Sequence, residues 1–149
     1  MDMIGTVDAI LKQKGSGAFS IGPDATVFDA IQMMSDRNVG ALMVMENDRL
    51  IGIISERDYT RKVALKGKVS KQTSVREILS GKIVNARPDS TVEECMRAMT
   101  EHRIRHLPVV EADKVVGVIS IGDLVNWIIS AQSATIDQLH SYITGQYHG

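Results

Sequence analysis

A chain of 149 residues with 44% hydrophobic and 23% charged residues has apolar mass for one ordinary domain, or for two small units sharing a core. Its formal net charge of −1 supplies no long-range field for gathering nucleic acid or an anionic bilayer, so neither is expected as a partner. The single cysteine, Cys95, excludes an intramolecular disulfide; no apolar run reaches membrane-spanning length, and the opening "MDMIGTVDAIL" lacks a signal-like basic stretch, which gives the expectation of a reducing, cytoplasmic address.

The first predicted element is a short helix opened by Thr6 in "TVDAIL". A glycine-bearing connection, "KGSGAFS", then leads into a short strand. From Pro23, "PDATVFDAIQMMSDR" places Val27, Ala30, Ile31 and Met34 at i, i+3, i+4 and i+7 behind the cap Thr26, which predicts an amphipathic helix. "ALMVM" and "LIGIIS", joined by "ENDR", read as a hairpin of β-branched strands. A second helix starts at Ser55 with Asp58 in its first turn, and the polar "KGKVSKQT" reads as a linker.

The same grammar then repeats. "SVREIL" answers "TVDAIL"; Val92, Cys95, Met96 and Met99 form the second stripe; "HLPVV", "EADK" and "VVGVIS" form the second hairpin; Ser120 and Asp123 open the last helix. Laying 23–59 over 88–124 needs no gap, and thirteen pairs are identical, which marks an internal duplication. The fold class is therefore α/β (α+β): two βαββα repeats, 6–66 and 73–131, followed by a tail, 132–149, in which Ile136, Leu139 and Ile143 fall at helical spacing. A unit of about 60 residues has a marginal core alone. Two such units packed about a pseudo-twofold axis solve that problem and leave a cleft at the seam.

Ser and Asp three residues apart at a helix N-terminus set a hydroxyl and a carboxylate beside unsatisfied backbone N–H groups. Such an end suits a vicinal diol or an anion, and it equally suits a capping box that only stabilises the helix. Its recurrence after the same strand favours a site. His102 and His106 in "HRIRH" lack a third ligand and an intervening Glu, so no metal is expected. Cys95 shares the helix stripe with core residues and reads as one of them. The "GSG" of Gly15–Gly17 lacks the Lys-Ser/Thr of a phosphate loop. Arg61, Lys62, Lys66, Lys68 and Lys71 form a basic run that reads either as a phosphate funnel or as a solvated face.

The duplicated "GIIS" and "GVIS" with S-x-x-D, the strands "GALMV" and "RHLPVV", and the helix starts "PDATV" and "PDSTV" together resemble a pair of CBS domains, the cystathionine β-synthase type module. That resemblance covers nearly the whole chain. It implies a non-enzymatic regulatory pair whose two clefts bind adenosine ligands such as AMP, ATP or an NAD-type dinucleotide, with no catalytic cofactor; the alternative is an interaction scaffold with vestigial clefts. Carried onto this sequence, one cleft uses Ser55, Arg57, Asp58, Arg61 and Lys62 with Ala41 on the preceding strand, and Val84, Ile104 and Arg105 from the second copy. The other uses Ser120 and Asp123, Arg105 and His106, and Phe19, Val39 and Gly40 from the first copy. "SIGDLVNW" carries no basic residue, so the second cleft is expected to borrow charge from "HRIRH". Leu124, Val125, Trp127, Ile128 and Ile129 exceed what one helix face buries; with the resemblance, they imply a homodimer, and a sensor implies a regulated partner protein.

Overall fold

Threonine caps fix where the two long helices begin. In the computed structural model, which describes residues 5–15, 17–79 and 82–131, the Thr26 and Thr91 hydroxyls accept the N–H groups of Asp29 and Glu94 at 3.0 Å. The helices so opened, Val27–Arg37 and Val92–His102, each end in a left-handed residue, Asn38 (φ 54°) and Arg103 (φ 53°). The predicted tail, with His140 and His148, lies outside the described residues.

In chain order the elements are α1 (Val7–Lys14), β1 (Ser20–Ile21), α2 (Val27–Arg37), β2 (Ala41–Glu46), β3 (Arg49–Ser55) and α3 (Glu56–Tyr59), which a π-helical turn continues over Thr60–Ala64. A 3₁₀ turn, Ser70–Gln72, leads to α4 (Val75–Ile78), α5 (Val92–His102), β4 (His106–Glu111), β5 (Lys114–Ser120) and α6 (121–131). β2 pairs antiparallel with β3, and β4 with β5, with the same register shift in both hairpins, at Val44/Met45 and at Val109/Val110. β1 runs parallel to β2; its counterpart in the second copy is reduced to one parallel bridge, Ala86 to Val109.

Both hairpins turn through two left-handed residues, Asn47 and Asp48 in the first (φ 52° and 63°), Ala112 and Asp113 in the second (φ 50° and 64°). Alanine is the poorest of the four there, since its Cβ crowds the following carbonyl. Ala112→Asn, which copies the first hairpin, is expected to raise stability by about 1 kcal/mol. A urea titration at fixed m-value reads the gain, and a lowered midpoint would refute it.

The core is interlocked. Val7 and Ile10 of α1, 0% and 3% exposed, join the second copy's cluster of Val92, Cys95, Met99, Leu107, Ile119 and Leu124. Reciprocally, Val75 and Ile78 of α4 complete the first copy's cluster of Val27, Met34, Leu42, Val44, Ile54 and Val63. Backbone bonds fasten each crossing: Val7 N–H to Ser90 O at 2.9 Å, Val75 N–H to Ala25 O at 2.9 Å, and antiparallel bridges at Thr6/Thr91 and Thr26/Ser74. Helices of eight and four residues gain little from their own hydrogen bonds, so this packing is what holds them. It also explains the glycine of "GIIS": a Cβ on Gly52 would stand 2.9 Å from Leu79 Cδ2, at the end of the crossing segment.

Candidate ligand-binding clefts

Each S-x-x-D lies where a core strand stops and a helix starts, and each forms a reciprocal cap. Asp58 N–H bonds Ser55 Oγ at 3.2 Å, while Ser55 N–H and its hydroxyl donate to Asp58 Oδ2 at 2.9 and 3.0 Å. Asp123 N–H likewise bonds Ser120 Oγ at 3.1 Å, and Ser120 N–H donates to Asp123 Oδ2 at 2.8 Å. Capping and ligand binding are thus compatible, because in both cases the cap engages one carboxylate oxygen and fixes the direction of the other.

The first cleft is a cavity of about 450 Å³ between the copies. Ser55, Arg57, Asp58, Arg61 and Lys62 from the first copy meet Val84, Ile104 and Arg105 from the second along its wall. Gly40 and His106, assigned from the sequence to the other cleft, line this cavity too. Ala41 is 7% exposed and is not among the lining residues; it sits in the hairpin ladder opposite Ser55. Ile53, Glu56, Lys82 and Arg103 are additional wall residues that the sequence reasoning missed. A signal existed for Lys82, the basic residue of "SGKIVNA" two positions before Val84.

Among the described lining residues, six are cationic and two are carboxylates, so the cavity is strongly electropositive. Lys62 Nζ stands 3.5 Å from Asp58 Oδ1 and donates to Ile78 O at 2.9 Å. Arg57 Nη1 reaches the carbonyl of Arg103 at 3.4 Å, so one cation bridges the two copies. Lys66 and Lys68 are exposed and absent from the wall, and Lys71 lies over the Phe28 ring at 4.7 Å. Of the basic run, Arg61 and Lys62 face the cavity.

The second aspartate has a different neighbour from the one expected. Lys14, the last residue of α1, places Nζ 2.6 Å from Asp123 Oδ2 and 2.9 Å from Val118 O. Beside any charge from "HRIRH", α1 crosses to the second core and delivers its own ammonium, a relation between residues 109 positions apart. Burial works against the charge on Asp123, but Lys14 together with the Ser120 N–H and hydroxyl outweighs it and holds the carboxyl below its ordinary range. His106 is pushed below the ordinary histidine value, first by burial and further by Lys14 and Arg105, against the pull of Asp123 and Glu56, so it is neutral at pH 7. Its ring lies 3.4 Å from where a Cβ on Gly40 would stand. Phe19 packs on the first core under the Arg37 guanidinium, 5.1 Å from the ring centre, and Val39 packs on the same core.

Cys95 is 2% exposed with its thiol pushed up to about 11 by burial, so it acts as a small apolar residue. His102 is exposed at the end of α5. Among the described residues no three His, Cys, Asp or Glu side chains gather as metal ligands, and no helix is long and apolar enough to cross a membrane.

Comparison with known proteins gives this geometry a family. The chain is 38% identical over 151 residues to the mitochondrial CBS domain-containing protein CBSX3 of Arabidopsis thaliana, covering 95% of this chain and 73% of the relative. The solved structure of a protein with CBS domains from Burkholderia ambifaria MC40-6 superposes with a TM-score of 0.82 at 44% identity, over 86% of this chain and 96% of that one. The CBS domain pair of protein MJ0100, solved in complex with 5′-methylthioadenosine and S-adenosyl-L-methionine, shares the fold at 22% identity and a TM-score of 0.75, over 86% of this chain and 98% of that one. The CBS domain model itself matches twice in tandem, at residues 16–65 and 75–130, once for each copy of the duplication, and the chain belongs to the CBS domain family.

Proposed function

We propose that the first cleft binds an adenine nucleotide, of the AMP, ATP or NAD type, and that the protein is a regulatory module rather than an enzyme. One observation carries this reading: the Asp58 carboxylate, oriented by its own cap, opens onto a cavity between the copies whose wall holds six cations. Asp58 Oδ1 accepts from the ribose hydroxyls, Arg57, Arg61, Lys62 and Arg105 take phosphate, and Ile53, Val84 and Ile104 supply apolar surface for the base. A CBS pair of the same fold holding two adenosine compounds is consistent with this chemistry.

Because the wall draws on both copies and Arg57 spans them, phosphate contacts differ between arrangements of the repeats, and a ligand shifts the arrangement it holds more tightly. Val125 and Ile129 on α6, 40% and 54% exposed, are the surface through which we expect a homodimer to form and a regulated protein to sense the change.

The reading is tested by thermal unfolding of the full chain with AMP, ATP, NAD, NADH and S-adenosylmethionine. A true ligand at a hundred times its dissociation constant adds about 2.7 kcal/mol. No shift with any of them would favour the scaffold reading instead.

A further inference from the structure

We infer that Arg103 makes the first cleft selective for the length of a nucleotide's phosphate chain, so that a triphosphate binds more tightly than a monophosphate. The inference rests on the reading that Asp58 receives the ligand's sugar.

Arg103 ends α5 in the left-handed region, with φ 53°. Among the described residues six non-glycine residues have positive φ, and four of them are Asn or Asp, whose short polar side chains suit that region. The duplication shows what the turn itself requires. The matching residue of the first copy is Asn38, at φ 54°, and each of the two gives its N–H to the preceding helical turn, at Met34 O in the first copy and Met99 O in the second. Asparagine does that backbone work and suits the conformation better, so the cap does not account for an arginine. A bulky residue held in a sparsely populated conformation points to a role outside the turn.

The cleft supplies that role. Arg103 lines the cavity from the copy opposite Asp58, and among the described residues no carboxylate pairs with its side chain. Arg57, next in sequence to Asp58, spans the seam and donates to the Arg103 carbonyl at 3.4 Å, which brings two guanidinium-bearing residues together there. A sugar on Asp58 sets the first phosphate against the first copy's own Arg57, Arg61 and Lys62, and the outer phosphates of a longer chain carry on across the cleft to Arg103. A monophosphate ends short of it. The guanidinium then offers parallel donors to two phosphate oxygens, a match that only the longer ligand uses.

The test is calorimetric titration of the full chain with ATP, AMP and NAD, in a chelating buffer that keeps divalent metal off the phosphates. The unaltered chain should bind ATP about tenfold more tightly than AMP, the scale of one charge-assisted contact. Arg103→Asn, which copies the first repeat, should weaken ATP about tenfold and leave AMP within about twofold. Its melting midpoint without ligand should hold or rise, because asparagine suits the turn. Lys68→Gln removes an exposed cation that is absent from the wall, and it should alter neither nucleotide. Equal affinity of the unaltered chain for ATP and AMP, binding of NAD alone, an equal loss of ATP and AMP in Arg103→Asn, or the same loss of ATP in Lys68→Gln overturns the role of Arg103 and spares the functional reading. Silence towards ATP, AMP and NAD alike overturns both.

Discussion

Val7→Asp is expected to remove most of the protein's stability. Val7 is fully buried in the second copy's core, where the side chains of Val92, Cys95, Leu107 and Ile119 offer a carboxylate no charged partner. Burying an unpaired polar group costs several kcal/mol, against a total of about 5–15 kcal/mol for a domain of this kind. Ile10→Ala, a gentler probe of the same contact, should cost about 2–4 kcal/mol through lost burial and the cavity left behind. Urea unfolding measures both. If Val7→Asp leaves the midpoint where it was, α1 does not pack on the second copy and the interlocked core is wrong.

The largest effect on binding is expected from Asp58→Asn. Ser55 remains the N-cap, and asparagine at the third helical position still offers an acceptor oxygen to the Ser55 N–H, so the fold should survive with a loss of about 1 kcal/mol from the missing charge at the helix N-terminus. What disappears is the charge that strengthens hydrogen bonds to ribose hydroxyls, about 1.5–3 kcal/mol, or roughly a ten- to hundredfold rise in the dissociation constant at the first cleft. Calorimetric titration with the nucleotide that gives the greatest thermal shift, alongside a melt of the variant alone, separates the two effects. Unchanged affinity would remove Asp58 from the proposed site, while a collapsed melt would show that its cap is the whole of its role.

Much of this is legible in the sequence, because the signals are local. The stripes at Val27, Ala30 and Met34 and at Val92, Cys95 and Met99 are buried as their spacing requires, and the threonine caps and the serine–aspartate boxes form where a short-range pattern places them. Eight first-cleft residues predicted from the sequence line one cavity. What escaped is non-local. A stripe as short as Val7 and Ile10 does not say which of two similar cores it joins, so neither the crossing nor the delivery of Lys14 to Asp123 was visible. Ala41 was carried over by position alone, and its burial follows from the hairpin register, which only the fold fixes.

The exchange of leading segments also constrains how the molecule is made. α1 is synthesised early, yet the surface it needs comes from residues 88–124, so during translation it must wait with Val7 and Ile10 exposed. Such distant pairing slows the search for the native state. A chain interrupted between the repeats would release a first half that lacks α4 and a second half that lacks α1, each short of the piece that closes its interior. Separately expressed halves should therefore be poorly soluble and recover only when mixed.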